Sequence, residues 1–110
     1  MPLSTTSITH LTDDTFAADA LESDVPVLVE FTADWCPPCR MMRPILEELA
    51  AERDDLRVAD VDVDEHQATA ARYGVLSMPT FMVFKHGAPV LTLIGARPKR
   101  RLVNELEAVL

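Results

Sequence analysis

The sequence is constrained most by its only two cysteines, which stand two residues apart in the segment Trp35-Cys36-Pro37-Pro38-Cys39. Two thiols at this spacing can close a small disulfide ring and reopen it, so the spacing indicates redox chemistry. The apolar segment 25–31 before them is typical of a buried strand, and residues 40–52 after them carry apolar side chains at helical spacing. We therefore predict that Cys36 lies where a strand turns into a helix.

The start of a helix would tune the chemistry of the cysteine pair. Cys36 would face unpaired backbone N–H groups and the positive end of the helix dipole, and both favour a thiolate. Cysteines in such sites have pKa values lowered from about 8.5 to roughly 3.5–7.5. We predict that Cys36 is the nucleophile, and that Cys39, one turn inside the helix and less exposed, is the resolving thiol.

A structural zinc site is the main alternative use of two close cysteines. Zinc takes four ligands, usually from two such pairs or from one pair with two nearby histidines. The three histidines, His10, His66 and His86, are scattered along the sequence. We therefore expect a catalytic pair and no metal.

Composition limits the class of protein. Hydrophobic residues make up 48% and charged residues 25% of the 110 residues, which predicts a single folded domain over 1–110, with residues 1–7 as a loose polar lead. The net charge of −8 argues against nucleic acid or an anionic membrane as a partner. Because the sequence shows no signal peptide and no apolar run of about 20 residues, we expect a cytoplasmic protein.

Periodicity along the chain predicts the element order βαβαβαββα. Thr12 or Asp13 is expected to cap the first helix, and Asp64 a later one. Strands are predicted at 8–11, 25–31, 56–62, 80–84 and 89–94, and helices near 16–21, at 40–52, at 65–73 and from 97 onward. This order fits a mixed sheet flanked by helices.

An ordered set of short motifs is more specific than the cysteine pair alone. The motifs, with x for a position outside the match, are HLTDD (10–14), F (31), WCxPC (35–39), PIL (44–46), YGV (73–75), MPT (78–80), FKxG (84–87) and IGA (94–96). By these motifs the sequence resembles the thioredoxin family over nearly its whole length. The resemblance implies the α/β thioredoxin fold, a central mixed β-sheet with helices on both faces, and protein-disulfide reductase activity.

The resemblance also implies a substrate-docking surface around Cys36. In the family the matching Trp35 borders the active site, although a buried core aromatic is the alternative. Pro79 would follow a cis peptide bond and expose the Met78 backbone to an extended substrate strand, while Pro38 would have a structural role. The implied docking residues are Trp35, Pro37, Met78, Pro79, Ile94, Gly95 and Ala96.

Pro37 is a departure from the family, which usually has Gly at this position. Proline removes a backbone N–H from the helix start and restricts the loop, and Pro38 restricts it further. We therefore predict an altered reduction potential, of either sign, with the reaction itself unchanged.

Glu30 is a second departure. Related proteins usually carry a buried Asp here with a Lys nearby in the next strand, whereas this chain has Glu30 and Asp60. In one hypothesis Glu30 reaches solvent and Asp60 points outward, on a strand at 56–62 whose residues alternate between apolar and polar. In the other, Glu30 is buried beneath Cys39 with its pKa raised, and takes the proton of the resolving thiol.

The densest basic run in this acidic chain follows the IGA motif and comprises Arg97, Lys99, Arg100 and Arg101. It is interpreted either as a solvated helix start or as a surface that steers acidic partners.

The sequence thus predicts a general protein-disulfide reductase that cycles between a Cys36/Cys39 dithiol and disulfide. It has no glycine-rich nucleotide motif, so no bound cofactor is expected. The resemblance implies a monomer that receives electrons from NADPH through thioredoxin reductase and passes them to disulfide-containing target proteins. The alternatives are a dedicated reductant, an oxidant or isomerase on the same site, or a non-catalytic binding subunit with the same fold.

Overall fold

The computed structural model describes residues 8–110, so the predicted polar lead at residues 1–7 lies outside the described part. Its elements follow the predicted order, with a π-helical segment, Ala17–Leu21, in place of the first α-helix. The strands are β1 (Thr9–Leu11), β2 (Val27–Thr32), β3 (Arg57–Asp62), β4 (Thr80–Lys85) and β5 (Ala88–Ile94). The α-helices are α1 (Pro37–Glu52), α2 (Gln67–Arg72) and α3 (Lys99–Glu107). No helix within residues 8–110 is long and apolar enough to cross a membrane.

The strands within residues 8–110 form one mixed five-stranded sheet in the order β1-β3-β2-β4-β5. Strands β1, β3 and β2 are parallel, whereas β4 is antiparallel to both β2 and β5. The central strand β2 has both faces covered, so the run from Val27 to Phe31 is buried throughout. The carboxyl end of β2 leads directly into the cysteine segment.

Helices cover both faces of the sheet, as predicted. On one face, α1 and α3 contribute a buried cluster that includes Met42, Leu46, Leu49, Leu102 and Leu106. On the other face, Phe16 packs edge-on against Phe84, with ring centroids 5.3 Å apart, and Tyr73 packs against the same ring at 5.1 Å. These two cores pack against both faces of the sheet and so fix the position of β2, whose carboxyl end leads to the cysteines.

Strand β3 differs from its predicted alternation of buried and exposed residues. Its residues from Val58 to Val61 are all buried, because β3 lies inside the sheet with helices over it. The hypothesis that Asp60 points outward is therefore wrong, since this side chain is buried inside the sheet.

The caps differ partly from prediction. The Thr12 hydroxyl accepts a hydrogen bond from the Thr15 N–H at 3.1 Å, so Thr12 caps the turn that precedes Ala17–Leu21, whose own N-cap, Phe16, makes no side-chain cap. Asp13 instead reaches α2, where its carboxylate accepts hydrogen bonds from the Thr69 N–H at 2.9 Å and the Thr69 hydroxyl at 2.6 Å. The predicted Asp64 cap is wrong, because the Asp64 side chain is used elsewhere, at the active site.

Candidate active site

The two cysteines lie where β2 gives way to α1 and are joined in a disulfide bond. Cys36 occupies the N-cap of α1, and its Sγ accepts a hydrogen bond from the Cys39 N–H at 3.2 Å. Because Pro37 and Pro38 carry no N–H, Cys39 supplies the first backbone donor of the helix. The predicted strand-to-helix position is therefore confirmed, with fewer N–H groups at the sulfur than an ordinary helix start would offer.

The exposure of the cysteines differs from prediction. Cys36 and Cys39 are each only 2% exposed, so burial does not distinguish the nucleophile from the resolving thiol in the disulfide form. They form a small buried cluster with Ala33, against which Met78 packs. What distinguishes the two sulfurs is their place in the helix, because only Cys36 lies at the N-cap and accepts an N–H hydrogen bond.

Trp35 lies on the surface beside the cysteine pair. Its side chain is 62% exposed, and its indole N–H donates to the Asp64 carboxylate at 2.8 Å. The alternative interpretation of Trp35 as a core aromatic is therefore wrong. Pro37, Pro38 and Ala96 are also exposed, and Ile94 is a large apolar side chain in solvent.

Two loops meet next to the cysteines. The Met78–Pro79 peptide bond is cis, as the family resemblance implies, and Pro79 is buried. The Gly95 N–H donates to the Pro79 carbonyl at 2.9 Å, which ties the 94–96 loop to the Pro79 loop. Sequence reasoning missed Leu76, which is 92% exposed only two residues before Met78.

Glu30 is buried in the centre of the sheet. It is 1% exposed, and its Oε2 has no hydrogen-bond partner among the described residues. Its partner in the β2–β3 register is Asp60. Burial first, and then the Asp60 charge, raise the pKa of Glu30 to about 8, while the Arg43 charge acts in the opposite direction. The hypothesis that Glu30 reaches solvent is wrong.

Asp60 has the hydrogen-bond partners that Glu30 lacks. Its carboxylate accepts a hydrogen bond from Arg43 of α1 at 3.0 Å and lies 2.8 Å from Nδ1 of His10 on β1. Sequence reasoning missed Arg43. The available signal was its position four residues after Cys39, which places both side chains on one face of α1.

Two neighbouring polar cavities, both lined by Arg43, lie beside Cys39 and beside Asp60. Cys39 and Arg43 both line a cavity of about 250 Å³. Arg43 also lines a neighbouring cavity of about 370 Å³, which reaches Asp60 and His10. Cys39 therefore lies beside a polar cavity, and Arg43 joins the lining of this cavity to that of the one containing Asp60.

The basic run after the 94–96 loop is not a uniformly solvated helix start. Arg97 is only 8% exposed and pairs with Glu105, and Lys99 bridges Glu48 and Glu52 at 2.9 Å each. Arg100 remains exposed, and Arg101 lies 3.5 Å from Glu105.

Within residues 8–110, the His, Cys, Asp and Glu side chains form no group of three or more that could hold a metal ion.

A cysteine pair that closes a disulfide at a helix N-terminus, beside a cis-proline loop, defines a thiol–disulfide oxidoreductase. The family model described as Thioredoxin matches residues 7–108. The chain therefore belongs to the thioredoxin family and is a protein-disulfide reductase.

Curated relatives agree with this assignment. The chain is 52% identical to a thioredoxin of Mycolicibacterium smegmatis, over 91% of this chain and 92% of that protein. It is 50% identical to a thioredoxin of Mycobacterium tuberculosis (strain ATCC 25618 / H37Rv), over 90% and 86% of the two chains. It is 47% identical to thioredoxin 1 of Synechococcus elongatus, over 88% and 92%.

Proposed function

We propose that residues 1–110 form a single-domain, monomeric general reductase of protein disulfides in which Cys36 attacks the target and Cys39 resolves the intermediate. The observation that carries this assignment of roles is the N-cap position of Cys36, whose sulfur receives the first N–H of α1. A sulfur in this position is stabilised as a thiolate by the N–H and by the helix dipole.

The reaction then proceeds in two exchanges. The Cys36 thiolate attacks one sulfur of the target disulfide, the target S–S bond breaks, and the first target thiolate leaves and takes up a proton. This step forms a mixed disulfide between Cys36 and the target. The Cys39 thiolate then attacks Cys36 Sγ, which releases the second target thiolate and leaves the Cys36–Cys39 disulfide. The target gains two electrons, and the cysteine pair loses two.

Glu30 is the proposed acceptor of the Cys39 proton. A thiol with an ordinary pKa needs a base before it can attack, and a base is most useful when its pKa lies near the working pH. Burial and Asp60 raise the pKa of Glu30 to about 8, and Oε2 has no competing hydrogen bond among the described residues. Arg43 lines the Cys39 cavity and also contacts Asp60, which is the partner of Glu30 in the β2–β3 register.

The surface around Cys36 is the proposed docking site for an extended target segment. Backbone pairing at Met78, next to Pro79, would accept many sequences, because it reads the main chain and not the side chains. Exposed apolar side chains at Trp35 and Ile94 support this role. The full proposed surface is Trp35, Pro37, Met78, Pro79, Ile94, Gly95 and Ala96, with Pro38 shaping the helix start.

Reduction of the Cys36–Cys39 disulfide after each cycle requires an external electron source. The proposed route is NADPH through a thioredoxin reductase, since the chain has no nucleotide-binding motif of its own. The proposed location is the cytoplasm, where such reductases keep thiols reduced.

The test is reduction of insulin disulfides with NADPH and a thioredoxin reductase, together with a measured reduction potential. A general reductase turns over insulin and has a potential near about −270 mV, whereas an oxidant or isomerase lies nearer about −120 to −180 mV. A potential in the higher range would reject the reductase role. A folded protein with no turnover would favour a binding subunit, and turnover of one cellular target but not insulin would favour a dedicated reductant.

A further inference from the structure

The Arg97 guanidinium is buried directly behind the 94–96 loop. Its Nη2 donates to the Ile94 carbonyl at 2.8 Å, and its Nε donates to the Gly95 carbonyl at 3.2 Å. Its Nη1 lies 2.8 Å from both carboxylate oxygens of Glu105 on α3. One side chain therefore joins two consecutive loop carbonyls to a helix.

The same loop is held at two further points. The Gly95 N–H donates to the Pro79 carbonyl at 2.9 Å, and the Arg97 N–H contacts the sulfur of the buried Met42 at 3.5 Å. Gly95 has φ of 99°, a conformation that side-chain-bearing residues rarely adopt. A loop that carries an exposed isoleucine is thus held to the Pro79 loop, to α1 and to α3.

We propose that Arg97 is a positioning residue for target docking, which holds the 94–96 loop against the Pro79 loop so that the two form one preorganised surface. Preorganisation matters because a loop that is ordered only on binding spends part of the binding free energy on its own ordering. This inference rests on the docking surface in the proposed function.

The chemistry of the site requires arginine. The planar guanidinium presents donors in several fixed directions, so it can serve two carbonyls and a carboxylate together, whereas the single ammonium of lysine cannot match this fork. The Arg97 side chain is 5% exposed and Glu105 25%, so the charge is compensated where water is largely excluded.

The experiment measures KM and kcat for insulin reduction by the full chain. Its variants are Arg97→Met, Arg97→Lys and Glu105→Gln, and the control is Arg53→Met. Arg53, at the carboxyl end of α1, makes a partly exposed ion pair with Glu107 of α3, so its loss perturbs α3 without touching the loop. We expect Arg97→Met to raise KM about tenfold, with kcat changed less than about twofold, because misplacing a binding group weakens binding. Arg97→Lys and Glu105→Gln should fall between Arg97→Met and wild type.

A second measurement separates docking from general disorder. Dithiothreitol reduces the Cys36–Cys39 disulfide without using a docking surface, so its rate should be equal in Arg97→Met and wild type. If Arg97→Met does not fold, Arg97→Lys is used, because it keeps the buried positive charge but lacks the fork that reaches both loop carbonyls. A KM no higher than that of Arg53→Met would overturn the proposal, as would a parallel fall in the dithiothreitol rate.

Ile94→Ser distinguishes failure of this inference from failure of the docking surface. A raised KM in Ile94→Ser with an unchanged KM in Arg97→Met would reject the role of Arg97 alone. An unchanged KM in Ile94→Ser would reject the 94–96 loop as a docking element, and the role of Arg97 with it.

Discussion

Glu30 and Asp60 lie opposite each other on the parallel strands β2 and β3. Both side chains are buried, but their hydrogen-bond partners differ. Asp60 accepts a hydrogen bond from Arg43 and contacts His10, whereas Glu30 Oε2 has no partner among the described residues. Burial, and after it the Asp60 charge, therefore raise the pKa of Glu30, so Glu30 keeps its proton to a higher pH than an exposed glutamate does.

Glu30→Gln should stabilise the protein at pH 7. The pKa of Glu30 rises from 4.5 to about 8 on folding, mainly because of burial. The unfolded chain therefore releases this proton first, so the contribution of Glu30 to stability is fully present below pH about 4.5 and is lost as pH rises toward about 8. The uncharged amide of Gln removes this loss, so we expect the free energy of unfolding at pH 7 to rise by about 1–3 kcal/mol. Denaturant unfolding at several pH values measures it.

The same variant should slow resolution of the mixed disulfide in single-turnover kinetics, because the proton acceptor is gone. Glu47→Gln, on the exposed surface of α1, is the matched control and should change neither quantity. A Glu30→Gln protein less stable than wild type at pH 7, with resolution as fast, would remove Glu30 from the mechanism.

Arg43→Met should destabilise the protein and raise the pKa of Glu30 further. The substitution leaves Asp60 buried with His10 as its remaining partner, and it removes the charge that opposes the rise at Glu30. Because Arg43 is partly exposed, we expect a loss of about 1–3 kcal/mol, less than for a fully buried pair. Arg40→Met is the control on the same helix. Equal stability of the two variants would show that the Arg43–Asp60 pair contributes nothing measurable.

Cys36→Ser should abolish turnover, whereas Cys39→Ser should accumulate mixed disulfides with targets through Cys36. The reason is that only Cys36 has the N-cap position that favours a thiolate. Mass spectrometry of trapped adducts identifies the linked cysteine. Targets captured equally well through Cys39 in the Cys36→Ser protein would reverse the assignment.

Pro37→Gly should raise the reduction potential, by about 10–50 mV, where 30 mV corresponds to about 1.4 kcal/mol for two electrons. The restored N–H stabilises the Cys36 thiolate. Glycine also gains more freedom in the open dithiol than in the closed ring. Both effects favour the reduced form.

The potential is measured against a glutathione buffer, and the Cys36 pKa, which should fall, is measured by thiolate absorbance. Pro89→Gly, at an exposed position of β5, is the control and should leave both unchanged. An unchanged potential in Pro37→Gly would show that Pro37 does not tune the site.

The redox centre could be predicted from sequence because its properties are local. The spacing of Cys36 and Cys39 is covalent, the missing N–H groups belong to Pro37 and Pro38 themselves, and helix periodicity after them is set by the chain alone. The order of the elements follows from the same short-range patterns.

The surroundings of that centre were decided by tertiary structure. Asp60 looked like a surface residue on an alternating strand, and it is buried because β1 and β2 flank β3 and helices cover the sheet. Its contacts with Arg43 and His10 depend on how α1 and β1 lie against that strand. The buried Arg97 likewise appeared in the sequence as part of an exposed basic run.

The physical reason is that local conformation depends on near neighbours, whereas burial and charge pairing depend on which distant segments pack together. Sequence therefore determined which atoms react. The packing of β3, α1 and α3 decided which side chains set the proton affinity of Glu30 and which one holds the 94–96 loop.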